Sequence, residues 1–309
     1  MENFLFVPST RELEWVQEVL PGTSPAELPV AGRSLIDYSL EYAWKSDAMF
    51  TEVLDWHFSK RLEDSFGDLT RTGHPVFYVK GEGSVPKGLA DLGNCSGPLS
   101  ASVADGLVVV WGAGIAMDLT GELSLEPMTE AECAETAAGV YRRENGRWMR
   151  VRAQALFARS VQDWHELNFF VLKESDKFTL PGYSSENGVH LGRNVILEHG
   201  TDVKPPVLML DNTWCARNVR LEGDVIVNTG SFIGEGARLR RTVVCADTFV
   251  GDGLDLDGKI VVGRRVIDAA SGSWVDVEEP GLARKASAGL GWVRSLWRFF
   301  CGRSSGRRG

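Results

Sequence analysis

The chain has 309 residues, 43% of them hydrophobic and 24% charged, which is enough for two domains with cores of their own. Its net charge is −9, unevenly spread: Arg284 opens a stretch with seven basic residues and no acidic one, so the preceding residues carry 26 basic and 42 acidic side chains, a net of −16. An acidic body argues against general nucleic-acid binding, and no segment approaches the roughly 20 apolar residues needed to span a bilayer.

Cys95, Cys133, Cys215, Cys245 and Cys301 are odd in number and form no C-x-x-C pair. With no secretory leader in view, a reduced, cytoplasmic thiol population is expected. His57, His74, His165, His190 and His199 lack metal-ligand spacing, so no structural zinc is expected.

In chain order, Asn3–Val7 reads as a first strand and residues 34–45 as a helix. On that helix Leu35, Tyr38 and Tyr42 share one face, with Ile36 and Leu40 beside them. Residues 76–79 and Leu107–Trp111 are short apolar runs rich in β-branched or aromatic residues, as in buried strands. Residues 140–151 read as a hairpin turning at Asn145-Gly146. Such alternation suggests a doubly wound α/β sheet over residues 1–180.

The second half repeats. From Leu191 an apolar residue returns every six positions: Leu197, Val203, Met209, Cys215, Leu221, Val227, Ile233 and Leu239. One step shortens to five at Val244, and Val250, Leu256 and Val262 resume the count. Four positions after each comes a second compact residue, from Val195 through Val266. Each hexad supplies a short strand and a corner, and three hexads make a coil that buries its inner face on the next. This predicts a parallel β-helix of about four coils over residues 188–268. Lys204-Pro205-Pro206 is where a loop would bulge outward.

The last segment, 281–309, is a basic amphipathic tail. On a helix, Trp292, Leu296, Phe299 and Phe300 share a face, with Val293 and Trp297 beside it and Arg294 and Arg298 at its edges. Two readings stand. Trp292, Arg294, Trp297, Arg298, Phe299 and Phe300 would contact an anionic membrane surface, giving peripheral attachment at the inner face of the membrane. Otherwise the helix packs on protein.

Several segments carry a resemblance. Leu28-Pro29-Val30-Ala31-Gly32-Arg33-Ser34-Leu35-Ile36-Asp37-Tyr38 resembles a stretch of the sugar-phosphate nucleotidyltransferases, such as mannose-1-phosphate guanylyltransferase. Gln162-Asp163-Trp164-His165-Glu166-Leu167-Asn168 is similar to the helix linking their two domains. Residues 233–244, and the shortened step before Val250-Gly251-Asp252-Gly253, look like their β-helix. The resemblance implies a shortened Rossmann-like nucleotidyltransferase domain followed by a left-handed β-helix, with Mg²⁺ as cofactor if the chain is active.

The chain departs from the family where the chemistry lies. The family's Gly-rich phosphate loop follows the first strand, and here that place holds Pro8-Ser9-Thr10-Arg11. Its catalytic Lys stands before L-P-V, where this chain has Ser24-Pro25-Ala26-Glu27. Its metal-holding Asp follows a buried strand, where this chain has Gly112-Ala113-Gly114, with Asp118 five residues on. Thr10, Arg11, Arg33 and Gly112 remain the candidates for nucleotide or phosphate contact. Without cradle, cation and metal ligand, phosphoryl transfer loses its positioning and its charge neutralisation.

The expectation is a catalytically impaired, nucleotidyltransferase-like protein of sugar-nucleotide or surface-polysaccharide metabolism. It would bind a nucleotide, sugar phosphate or nucleotide sugar and act as a regulatory partner, and it would self-associate or join a partner enzyme. The alternatives are an active sugar-1-phosphate nucleotidyltransferase using Arg11 and Arg33, and a hexapeptide acyltransferase using His190 or His199 as base. Asp252, Asp255 and Asp257 form a small acidic cluster, read as solvated turn residues or as a metal site.

Overall fold

The computed structural model describes residues 3–8, 14–45, 49–57, 59–71, 76–95, 98, 103–117, 124–277 and 283–285. Two units divide the chain, one of residues 1–180 with 269–272, the other of residues 181–268 with 273–309.

The first unit runs β1 (Asn3–Val7), α1 (Glu14–Val19), β2 (Pro29–Val30), β3 (Arg33–Ser34), α2 (Leu35–Lys45), β4 (Phe50–Asp55), α3 (Lys60–Arg71), β5 (Val76–Lys80), β6 (Leu107–Trp111), β7 (Gly114–Met117), β8 (Leu125–Pro127), α4 (Glu130–Ala134), β9 (Gly139–Glu144), β10 (Arg147–Val151), β11 (Gln154–Phe157) and α5 (Val161–Lys173). Its main sheet has the order β5-β4-β1-β6-β9-β10-β8 among the described residues. The first four strands are parallel to one another, and β9, β10 and β8 continue the sheet antiparallel. It is therefore a mixed α/β sheet.

The central parallel strands β1 and β6 are apolar on both sides, as strands covered on both faces must be. Phe4, Phe6, Val53, Val108 and Val110 meet Ile36, Leu40 and Ala43 of α2 and Leu62 and Phe66 of α3. Leu5, Val7, Leu54, Val109 and Trp111 lie on the opposite face with Leu89, Leu92, Tyr141 and Trp148. The β9–β10 hairpin turns at Asn145 and Gly146, with φ of 49° and 74°. Two positive φ values in a row are the geometry that an Asn-Gly pair supplies at least cost.

In the second unit β12 (Ser184–Glu186) pairs antiparallel with the first rung, and the chain then visits three sheets in rotation. Side 1 holds β13 (Val189–Leu191), β16 (Val207–Met209), β19 (Val225–Val227), β22 (Thr242–Val244) and β25 (Lys259–Val262). Side 2 holds β14 (Ile196–Leu197), β17 (Trp214–Cys215), β20 (Phe232–Ile233) and β23 (Thr248–Val250). Side 3 holds β15 (Asp202–Lys204), β18 (Arg220–Glu222), β21 (Arg238–Arg240) and β24 (Asp255–Asp257). Every pairing between these strands is parallel, which is the connectivity of a three-sided β-helix.

The hexad residues fill the prism: Met209, Cys215, Leu221, Val227, Ile233, Leu239, Val244 and Val250 are all fully buried. The Lys204-Pro205-Pro206 corner keeps the six-residue step from Val203 to Met209, so the chain does not bulge there. Leu197 is 41% exposed because its coil is the first and has a neighbour on one side only.

The register differs from the periodic reading in two places. Partners stand 18 residues apart in the early coils, as in Val207 with Val225, and 17 apart from Val225–Thr242 onward. The corner at Arg241 (φ 43°) is one residue shorter than the corner at Gly223 and Asp224, so Thr242 rather than Val243 takes the compact position. A second five-residue step follows at Gly258 (φ 64°): Val244 pairs with Val261, and Val261 is the buried core residue while Val262 is half-buried. The six-step count to Val262 therefore overshoots by one residue, and the inward position belongs to Val261. The parallel stack also stops sooner than the repeat suggested, since β26 (Arg265–Asp268) and β27 (Trp274–Asp276) pair antiparallel after β25. On side 2, β28 (Ala283–Lys285) pairs antiparallel with β23.

The outer faces differ in chemistry. Side 3 is charged, with Arg238 bonded to Glu222 at 2.6 Å and Arg240 within 3.6 Å of Asp255 and 3.5 Å of Asp257. Side 2 carries Ile196, Trp214, Phe232 and Phe249 in register on successive strands.

Candidate functional site

In open α/β sheets the ligand crevice lies beyond the carboxyl ends of the parallel strands. In the first unit those ends are Val7, Asp55, Lys80 and Trp111. Thr10, Arg11 and Asp118 lie outside the described residues, as do Trp292, Arg294, Trp297, Arg298, Phe299, Phe300 and Cys301.

At the end of β6, the Gly112 N–H donates to the Val7 carbonyl (2.9 Å), tying the two central strands together. Gly112 has φ of 102°, and a Cβ there would stand 2.9 Å from the Ala138 methyl. A Cβ on Gly114 would stand 2.2 Å from the Phe157 ring. Both glycines are thus required by packing. Ala113 is buried, and its carbonyl accepts the Ala158 N–H (2.8 Å). The Arg159 guanidinium lies 5.9 Å from the Phe157 ring centre.

A magnesium ion needs about six oxygen ligands in near-octahedral array. Residues 112–114 offer two glycines and a methyl against an aromatic ring, with an arginine nearby. They do not fit the ion.

A polar cluster lies at the end of β4. Ser24 caps the short 3-10 turn Pro25–Glu27, accepting the Ala26 N–H (3.1 Å). Its hydroxyl donates to the buried Asp55 carboxylate, which also accepts from the Tyr78 hydroxyl (2.9 Å) and the His57 N–H (2.9 Å). Ser59 donates its N–H to the Tyr78 oxygen (2.9 Å) and its hydroxyl to Glu27 (2.7 Å), and Arg61 lies 3.3 Å from Glu27. Burial, followed by the Asp55 charge, pushes the Tyr78 pKa far above the ordinary tyrosine value. Each carboxylate is held by donors from its own fold, so the cluster braces the loop that precedes Leu28. Ser24-x-x-Glu27 is a capping-box pattern and is visible in the sequence; Asp55 and Tyr78 were missed because only strand pairing brings them to it.

The two segments that carry the resemblance interlock. Ala31 (φ 40°) and Gly32 (φ 84°) turn β2 back into β3. The Ala31 N–H donates to Asn168 Oδ1 (2.8 Å), while Asn168 Nδ2 donates to the Trp164 carbonyl (2.8 Å) and the Pro29 carbonyl (3.4 Å). The Trp164 indole N–H also donates to Pro29 (2.8 Å). Arg33 is engaged with Glu41 (2.8 Å), the Thr179 carbonyl (2.9 Å) and the Tyr38 ring (4.7 Å).

In the second unit, His190 lies on side 1 and burial lowers its pKa, whereas His199 stands in the corner after side 2, where its carbonyl accepts the Asn218 N–H (3.2 Å). They occupy different sides. Asp252 accepts the Glu235 N–H (2.9 Å), and Asp255 and Asp257 face Arg240 and Arg241. Arginine pairing accounts for Asp255 and Asp257, and a backbone donor for Asp252. Among the described residues no three His, Cys, Asp or Glu side chains gather as metal ligands, and no helix is long and apolar enough to cross a membrane.

Burial pushes the Cys215 and Cys245 thiols up to about 12. Iodoacetamide at pH 8 should therefore leave both unmodified in the folded chain and alkylate them only after denaturation, because the thiolate is the nucleophile. Peptide mass spectrometry reads this directly. Labelling of Cys215 at the rate of a free thiol would show that the prism opens.

Comparison with protein-family models gave no match, and comparison with curated proteins gave none.

Proposed function

We propose that this protein is a nucleotidyltransferase-like protein without catalysis, a binding or regulatory partner in sugar-nucleotide or surface-polysaccharide metabolism. The observation that carries the reading is the setting of residues 112–114, where glycine, alanine and glycine meet Phe157 in the place that phosphoryl transfer would give to a metal-bound carboxylate. Glu27 likewise puts a negative charge where the family uses lysine, and a carboxylate repels phosphate. The interlock of residues 28–34 with α5 supports the resemblance to the family, because both of its N-terminal segments then serve one structural joint. The finer fold belongs to the same proposal: a shortened Rossmann-like domain and a left-handed winding of the coils. The ligand would be a nucleotide, a sugar phosphate or a nucleotide sugar.

The test is turnover followed by binding. The full chain with Mg²⁺, hexose 1-phosphates and each nucleoside triphosphate should release pyrophosphate no faster than a protein-free control. A nucleotide sugar present at a hundred times its Kd should stabilise the fold by about 2.7 kcal/mol. Mg²⁺-dependent pyrophosphate release would overturn the non-catalytic reading. Absence of a thermal shift with all three ligand classes would remove the binding role.

A further inference from the structure

The tripeptide Glu-Asn-Gly occurs twice, as Glu144-Asn145-Gly146 and as Glu186-Asn187-Gly188. Each stands at a two-residue hairpin corner: Glu144 pairs with Arg147 across the first, and Glu186 with Val189 across the second. The backbone is nearly the same at both, with φ of 49° and 74° at the first and 50° and 78° at the second. Both asparagines and both glycines are exposed. An asparagine followed by glycine is open to attack by the next backbone nitrogen on its side-chain amide, because no Cβ shields that nitrogen.

The two corners differ in what holds the glycine nitrogen. The Gly146 N–H donates to Asp105 Oδ1 at 2.9 Å. That bond and the carboxylate charge both oppose loss of the amide proton, the step that makes the nitrogen a nucleophile. At the second corner no acceptor stands against the Gly188 N–H among the described residues. The Gly188 carbonyl is held, accepting the Val207 N–H at 3.0 Å. A Cβ on Gly188 would stand 3.1 Å from Pro205 Cβ, so this contact and the φ of 78° both keep glycine there.

We propose that Asn187 is a modification site, converting spontaneously to isoaspartate and so releasing β12 from the edge of side 1. The Gly188 nitrogen, having given its proton to base, attacks the Asn187 side-chain carbonyl carbon. A carbon–nitrogen bond forms, the bond to Nδ2 breaks, and ammonia leaves. Water then opens the five-membered imide: at the former side-chain carbonyl it gives aspartate, at the main-chain carbonyl isoaspartate. Neither step calls on a nucleotide or a metal. Isoaspartate routes the main chain through the former side chain, adding one carbon and one carboxylate to a corner that two residues of positive φ must close. The pairs Ser184–Leu191, Ser185–His190 and Glu186–Val189 depend on that corner. β12 is the outermost strand of side 1, so its departure bares the edge of β13.

Incubation of the full chain at pH 8, followed by peptide mass spectrometry that separates aspartate from isoaspartate, tests this. Conversion at Asn187 should be faster than at Asn145 by about tenfold or more, the protection that a hydrogen bond to a carboxylate gives the Gly146 nitrogen. It should slow at pH 5, where base is scarce. Asp105→Ala, at an exposed position, should bring Asn145 to within about threefold of Asn187 by removing that bond. In the converted chain, hydrogen-exchange protection of the β12 amides should fall by about fivefold or more. Fresh Asn187→Asp gains the charge without the extra main-chain carbon and should keep that protection. Equal conversion at the two asparagines overturns the proposal, as does an Asn187 that stays intact while the urea-unfolded chain converts. A rate at Asn145 unmoved by Asp105→Ala overturns it too, and so does full β12 protection in a chain that carries isoaspartate.

Discussion

Asn168→Ala is expected to lower the unfolding free energy of the first unit by about 2–4 kcal/mol. Asn168 is 1% exposed and holds three backbone groups that belong to two elements. Its removal leaves the Ala31 N–H and the Trp164 carbonyl without the side-chain partner each now has, in a place water does not reach. A buried group left unsatisfied costs about 1–3 kcal/mol, more than the net worth of the bond it lost. Asn168→Asp separates the contributions. The carboxylate can still accept from Ala31 but cannot donate to Pro29 or Trp164, and it brings an unpaired charge into the interior. It should destabilise at least as much as alanine. Gln162→Ala on the exposed face of α5 should cost no more than about 0.5 kcal/mol. Urea titration followed by tryptophan fluorescence reports all three, since Trp164 sits in the joint. A loss below about 1 kcal/mol for Asn168→Ala would mean that the turn at Ala31 stands without α5.

The second large effect concerns two adjacent valines. Val261→Asp should destabilise the β-helix by about 4 kcal/mol or more, because a carboxylate would enter a prism in which Val244 and Val227 are fully buried. Val262→Asp should cost under about 1.5 kcal/mol, since Val262 is half-buried beside the turn at Gly263. A strict six-residue count gives the opposite order, with Val262 inside. Thermal melts of the two variants decide between the registers. Equal destabilisation, or a larger loss at Val262, would restore the six-step count and remove the second shortened corner.

The repeat was legible because a narrow prism tolerates little at its inward positions, and eight consecutive steps from Leu191 to Leu239 obey one spacing. Its end was not legible. Val261, Val262 and Val266 are all apolar, and periodicity cannot distinguish a last parallel rung from an antiparallel return. In the first unit the strands Asn3–Val7 and Leu107–Trp111 and the Asn145-Gly146 turn could be read locally, since each is set by its own residues. The Asp55 cluster could not. Ser24, Asp55 and Tyr78 are separated by tens of positions and meet only because β4 and β5 lie side by side and the loop before Leu28 reaches them. The bonds of Arg33 to Glu41 and Thr179 likewise depend on folding that no local pattern records. Alanine at position 113 was visible as a letter. That Phe157 packs against its flanking glycines was not.

On the proposed reading, the carboxyl end of the sheet offers a divalent ion no coordination beside a bound nucleotide. Mn²⁺ titrated into the full chain with a non-hydrolysable nucleoside triphosphate, followed by electron paramagnetic resonance, tests this most directly. The account predicts the same free-Mn²⁺ fraction with and without protein at equal nucleotide concentration. A protein-dependent loss of the free-ion signal, saturating at one ion per chain, would contradict it.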